Sequence, residues 1–138
     1  AFANPDPEQI RALLKRVRTI AVVDFSTKPA GPAHNIARPL QPFGCQIIPL
    51  RPGISEGLGE KACPNLSAVR DPIELVNVFR SPGQVPPIVD KCLRLGLKTI
   101  WIQDGAANEE AAEKAAAGGM SLVMDRCMLR DFTRLCLE

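Results

Sequence analysis

Apolar positions recur with two different periods along this 138-residue chain, and the two periods alternate. Residues 7–18 (PEQIRALLKRVR) carry Ile10, Leu13, Leu14 and Val17 at i, i+3, i+4 and i+7. That is one apolar face of a helix, opened by Asp6 and by Pro7 at the first helical position. Residues 19–23 (TIAVV) form an unbroken run rich in β-branched side chains, as expected of a strand buried on both faces. A turn-rich stretch, DFSTKPAGP, leads into a predicted helix over 33–43 that Gly44 closes. Pro39 and Pro42 fall inside that helix. An interior proline costs ~3 kcal/mol and kinks the backbone, so this helix is expected to be short or bent. Residues 45–50 (CQIIPL) read as a second strand and 51–65 as a long loop.

The second half repeats the scheme. Strands are predicted over 74–79, 98–103 and 120–124. A helix over 85–96 is expected to turn Ile88, Val89, Cys92, Leu93 and Leu95 inward. An Ala-rich helix over 108–119 has an Asn cap and acids in its first turn, and a last helix covers 127–135. Strand–helix alternation with strands apolar on both sides implies an α/β protein, a Rossmann-like three-layer sandwich. Its mainly parallel sheet has about five strands, with the first strand expected at the centre. At this length residues 1–138 make a single domain.

Charge and composition narrow the function. Seventeen Lys and Arg against fifteen Asp and Glu give a net +2, too small to point to nucleic acid or an anionic membrane as partner. Aromatics are scarce, with five Phe, one Trp and no Tyr, which argues against base-stacking platforms. No apolar run approaches the ~20 residues of a membrane span, and no signal peptide is visible. Cysteines 45, 63, 92, 127 and 136 are odd in number and contain no CxxC pair. With one histidine in the chain they are read as reduced thiols in a cytoplasmic protein, with no zinc site.

Ligands of such sheets bind outside the carboxyl ends of the strands, so the loop after each strand is where chemistry is expected. The first loop offers Ser26, Thr27 and Lys28, the second Arg51, Pro52 and Gly53, the third Phe79, Arg80 and Pro82, and the fourth Gln103 and Gly105. Lys28, Arg51 and Arg80 each lie just past a strand end. Parallel strands run ~4.8 Å apart, so these cations are expected to line one cleft and meet phosphates. The first strand is followed by no G-x-G-x-x-G, and the chain has no P-loop motif. Residues 57–62 match G-x-G-x-x-A by letter but do not follow a strand, and Cys63-Pro64 breaks any helix there.

Catalytic equipment is sparse. His34 falls in the first turn of a predicted helix, with no nucleophile or acid implied beside it, and is read as capping, packing or touching a ligand. Asp125-Arg126-Cys127 ends the last strand and reads as a structural cysteine beside an Arg–Asp pair rather than as an activated thiol.

Taken with their order and gaps, several segments resemble the small stand-alone CoA-binding proteins. These are single Rossmann-like domains similar to the CoA-binding domain of the succinyl-CoA synthetase α subunit. The matching stretches are TIAVV…STKPAGPAHNIAR (19–38), GCQIIPLRP (44–52), LVNVFR (75–80) and VPPIVD (85–90), then TIWIQDG (99–105), NEEAA (108–112) and VMDRC (123–127). The resemblance implies that Ser26, Thr27 and Lys28 meet the CoA phosphates and that Arg51, Pro52 and Gly53 lie near the adenosine end. It places Phe79, Arg80 and Pro82 along the nucleotide, and Gln103 and Gly105 toward the pantetheine. The phosphohistidine segment and ATP-grasp partner of the synthetases are not visible in this chain.

The chain departs from the family pattern at Asp24 (usually Gly), Pro39 (usually aromatic), Arg51 (usually Asn) and Asn77 (usually Asp). The expected function is binding of coenzyme A or an acyl-CoA, without catalysis by the chain alone. The alternatives are an accessory subunit of a CoA-dependent ligase or transferase, and a module for another nucleotide such as NAD or an adenylate. A protein partner or a homodimer stays open.

Overall fold

The computed structural model describes residues 3–23, 32–80, 82–103 and 106–137. These contain, in chain order, strands β1 (Thr19–Val23), β2 (Gln46–Leu50), β3 (Glu56–Gly57), β4 (Glu60–Lys61), β5 (Leu75–Val78), β6 (Thr99–Ile102) and β7 (Ser121–Met124). The five apolar runs build one parallel sheet in the order β2-β1-β5-β6-β7. Each lies within one residue of its predicted bounds. The first strand is internal but not central, and β5 takes the middle. The chain steps outward from β1 to β2 and then returns to the other side of β1, so the order reverses between β1 and β5. In this strand order that reversal is the switch point at which ligands bind.

The helices are α1 (Pro7–Arg16), α2 (Pro32–Ala37), α3 (Val85–Arg94), α4 (Glu109–Ala117) and α5 (Met128–Cys136). Side chains of the strands alternate between two cores. Ala21, Val23, Ile48, Val76, Val78, Ile100 and Ile102 pack with α3 and α4. Ile20, Val22, Ile47, Leu75, Trp101 and Val123 pack with α1, α2 and α5. Both faces of the sheet are therefore covered, which is why its strands lack polar alternation.

Local chemistry sets the element ends. Asp6 and Gln9 form a reciprocal capping box on α1, at 2.8 and 2.9 Å. Asn108 Oδ1 accepts from Ala111 N at 3.0 Å and caps α4 as expected. The region of Pro39 and Pro42 behaves as the prolines demand. α2 ends at Ala37, a 3₁₀ segment Arg38–Phe43 follows, and Gly44 closes it at φ 93°. On the outer edge of β7, the Asn4 side chain pairs with the backbone of Met124. Its amide donates to Met124 O and accepts from Met124 N, both at 2.8 Å.

Two further expectations are corrected. Residues 51–65 are not all loop, because β3 and β4 form a small antiparallel hairpin. Its central Leu58 and Gly59 have φ of 52° and 77°, the pattern of a type I′ turn. Leu95 is 41% exposed rather than inward, because α3 stops at Arg94 and Leu95 is its cap.

Candidate functional site

The predicted site residues that are described lie at one edge of the sheet, most of them just past a strand end. Arg51, Pro52 and Gly53 come after β2, Phe79 and Arg80 after β5, and Gln103 after β6, while Pro82 opens a 3₁₀ turn leading into α3. Ser26, Thr27, Lys28 and Gly105 lie outside the described residues, as does Asp24.

The second loop is anchored by its backbone. Arg51 N donates to Cys63 O at 2.9 Å and Cys63 N donates to Pro49 O at 3.0 Å, a parallel bridge that extends the sheet beside Leu50. The chain then turns at Pro52-Gly53, where Gly53 has φ 84°, a conformation a side chain would resist. The third loop is tied to α4, since Asn108 Nδ2 donates to Pro82 O at 2.8 Å.

A groove of about 280 Å³ opens where β1 and β2 end. Val23 and Leu50 line it at the strand ends, and Pro52 and Arg80 reach it from their loops. One wall is Pro64, Asn65 and Leu66; the other is the face of α3 that carries Pro87, Ile88, Lys91 and Arg94. Among the described residues its lining is apolar apart from an amide and three cations, and includes no Asp or Glu. Two other concavities, of about 430 and 540 Å³, are larger but mix charges, with Glu60 and Asp71 beside Lys61 and Arg70 in one and Glu74 beside Arg16 and Lys98 in the other. The second of these lies at the amino ends of the strands, away from the switch point. Position and charge, rather than size, single out the groove.

The predicted residues are thus divided. Pro52 and Arg80 line the groove, whereas Arg51 and Gly53 are exposed and lie outside its lining. Phe79 is half-buried against the core on the α1–α2–α5 face. Sequence reasoning missed Lys91 and Arg94. The available signal was their spacing with Pro87, since i, i+4 and i+7 share a helix face.

Gln103 sits in a buried polar network under the fourth loop. It is 7% exposed, and its Oε1 accepts from Asn77 Nδ2 at 3.3 Å and from Met128 N at 3.2 Å. Asn77 Nδ2 also donates to Trp101 O at 3.2 Å. With its carbonyl oxygen doubly engaged, Gln103 is left with the donor Nε2 as the group it can offer a ligand.

Next to it, Arg126 grips Asp131 with two hydrogen bonds, Nε at 2.6 Å and Nη2 at 2.9 Å, and Trp101 Nε1 donates to Arg126 O at 2.8 Å. The Arg–Asp pair expected around Cys127 therefore forms with Asp131, one turn into α5. Burial pushes the Cys92 thiol up to about 12 and also raises Cys45 and Cys136, so these are poor nucleophiles. Among the described residues no cluster of three or more His, Cys, Asp or Glu is suited to a metal, and no helix is long and apolar enough to cross a membrane.

Comparison with known proteins agrees with this geometry. A family model described as a CoA binding domain matches residues 18–133. The uncharacterized protein YneT of Bacillus subtilis (strain 168) is 37% identical over 125 residues, covering 91% of this chain and 93% of that protein. A hypothetical protein from Pyrococcus horikoshii OT3 superposes with a TM-score of 0.90 at 33% identity, covering 98% of this chain and 97% of that one. The dinucleotide-forming acetyl-coenzyme A synthetase 1 of Ca. Korarchaeum cryptofilum, in complex with phosphate and ADP, matches with a TM-score of 0.64 at 25% identity. That match covers 75% of this chain but 25% of the synthetase, so the likeness is to one part of a larger enzyme.

Proposed function

The chain belongs to the CoA-binding domain family, and from that premise we propose that it binds coenzyme A or an acyl-CoA at the carboxyl edge of the sheet, without catalysis of its own. The observation that carries this reading is the groove beside the switch point, where Arg80 is one of three cations in the described lining. At about 280 Å³ it falls just below the ~300–1,000 Å³ typical of whole ligand pockets. It suits one end of CoA, and the mixed proline and aliphatic lining suits an adenine ring. In this reading Arg51, Pro52 and Gly53 lie near the adenosine, and Phe79, Arg80 and Pro82 flank the nucleotide. Ser26, Thr27 and Lys28 meet the phosphates, while Gln103 and Gly105 face the pantetheine, with Gln103 Nε2 donating to one of its carbonyl oxygens.

Binding without catalysis is supported by the side chains available. Gln103 and Asn77 are committed to each other, Asp131 is committed to Arg126, and three of the thiols are raised by burial. A protein of this kind works as a carrier, a sensor or a subunit of a larger CoA enzyme.

Thermal shift with CoA, acetyl-CoA, NAD and ATP tests the ligand class. Stabilisation by CoA and acetyl-CoA at concentrations where NAD and ATP have no effect is the expected result. Stabilisation by NAD or ATP alone overturns the reading in favour of another nucleotide.

A further inference from the structure

The groove has a wall to which the family resemblance gives no role. Along α3, Pro87, Ile88, Lys91 and Arg94 fall at i, i+1, i+4 and i+7, and all four line the groove. The acid beside them in sequence is turned elsewhere. Asp90 faces α4, where Lys114 Nζ lies 3.2 and 3.3 Å from its two carboxylate oxygens. Across the groove, Asn65 Oδ1 accepts from Ala68 N at 3.1 Å, so the polar group it presents is the donor Nδ2. Every polar side-chain group offered by the two walls is thus a donor or a cation.

Cations in the last turn of a helix are ordinary, because they complement its dipole. The dipole does not explain why both of these face a concavity while Asp90, next to Lys91, is turned toward α4. The like charges of Lys91 and Arg94 on one helix face repel each other, a cost that a bound anion removes. Their depth matters too. At 1.5 Å per residue, Lys91 and Arg94 start roughly 9 and 13 Å along α3 from Val85, down the side of the sheet and away from the strand-end loops. An anion they hold is a second one, separate from a pyrophosphate lying over those loops.

We propose that Lys91 and Arg94, which line the same groove as Arg80, form a subsite for a phosphate monoester on the ribose of the ligand. A monoester carries nearly two negative charges at neutral pH, which matches a pair of cations better than a diester does. The proposal rests on the reading of CoA as ligand and makes this α3 face the element that separates CoA from dephospho-CoA.

Isothermal titration of both nucleotides into the full chain tests it. The wild-type chain is expected to favour CoA at least tenfold. In Lys91→Ala/Arg94→Ala the preference falls below threefold through weaker CoA binding, while dephospho-CoA affinity stays within twofold. Lys91→Arg keeps the preference, and so does Lys98→Ala, which removes a charge at the opposite edge of the sheet. Equal binding of the two nucleotides by the wild-type chain, or a preference that survives the double substitution, overturns the subsite while CoA binding stands. Binding of neither nucleotide overturns the ligand reading and the subsite with it. Arg94 is exposed and Lys91 half-exposed, so the variants are expected to fold, with the thermal midpoint as the check.

Discussion

Asn77 of β5 donates its side-chain amide to Gln103 Oε1, just past the end of the neighbouring β6, 3.3 Å apart and buried. Asn77 is the polar residue in the otherwise apolar β5, and at 1% exposure its amide must be satisfied internally. The arrangement fixes which end of Gln103 can turn outward. An aspartate at 77 would face two acceptors, Trp101 O and Gln103 Oε1, with no proton to give them. Asn77→Asp is therefore expected to cost about 2–3 kcal/mol at neutral pH. A carboxyl raised in the folded state contributes its stability below its unfolded value and loses it as pH rises through the folded value, so the loss shrinks toward pH 4. Denaturant melts of both forms at pH 4 and pH 7 check this, and equal stability at both would show that Gln103 reorients without cost.

Asp131 is wholly buried and holds Arg126 through two bonds at the base of α5. Asp131→Ala removes both bonds at once. Loss of one partner of a buried pair costs ~3–5 kcal/mol, and the 30% exposure of Arg126 lowers that to about 2–4 kcal/mol. The Arg126→Met variant, which keeps the aliphatic stem, should lose as much, because it strands the buried carboxylate. Urea unfolding of the two variants measures it.

The five thiols are expected to remain reduced and to differ in reactivity. Cys92 is fully buried with its thiol near 12, and burial raises Cys45 as well. At pH 8 a thiol reagent should label Cys63 and Cys127 fastest and Cys92 last, and all five after unfolding without reductant. A shortfall of two in the unfolded chain would reveal a disulfide.

Much of the fold was legible because the physics is local. Mainly apolar runs located every strand of the main sheet, and Pro39 with Pro42 foretold a short or bent helix, which the structure resolves as α2 followed by a 3₁₀ segment. Strand order was less legible. Nothing in TIAVV tells whether its second neighbour lies left or right, and that choice placed β5 rather than β1 at the centre. The β3–β4 hairpin escaped because its strands are two residues long and its turn depends on Leu58 adopting a positive φ. Pro52 and Arg80, which line the groove, could be picked out by topology alone because each follows a strand. Lys91 and Arg94 were passed over because a cation on a helix is solvated by default, and only the packing of Asp90 against Lys114 shows that this face is different.

Asp24 follows Val23, the last residue of β1, at a position where the family resemblance implies glycine, and lies outside the described residues. A carboxylate ~4–5 Å from a phosphate charge repels it by roughly 3–4 kcal/mol at an effective dielectric of 20. Asp24→Gly is expected to tighten CoA binding at least tenfold by calorimetry. Equal affinities would mean that the carboxylate never faces the phosphates.

Calorimetric titration of CoA into the wild-type chain and Arg80→Ala, at about 0.1 M and about 1 M salt, tests the central claim most directly. Across that range the screening length falls from ~10 to ~3 Å, so a phosphate held by cations must lose affinity. The expected result is one CoA per chain, binding at least tenfold weaker at high salt, and weakened by roughly tenfold in Arg80→Ala at low salt. No binding at low salt, or binding indifferent to both salt and Arg80, would contradict a CoA site at the carboxyl edge of this sheet.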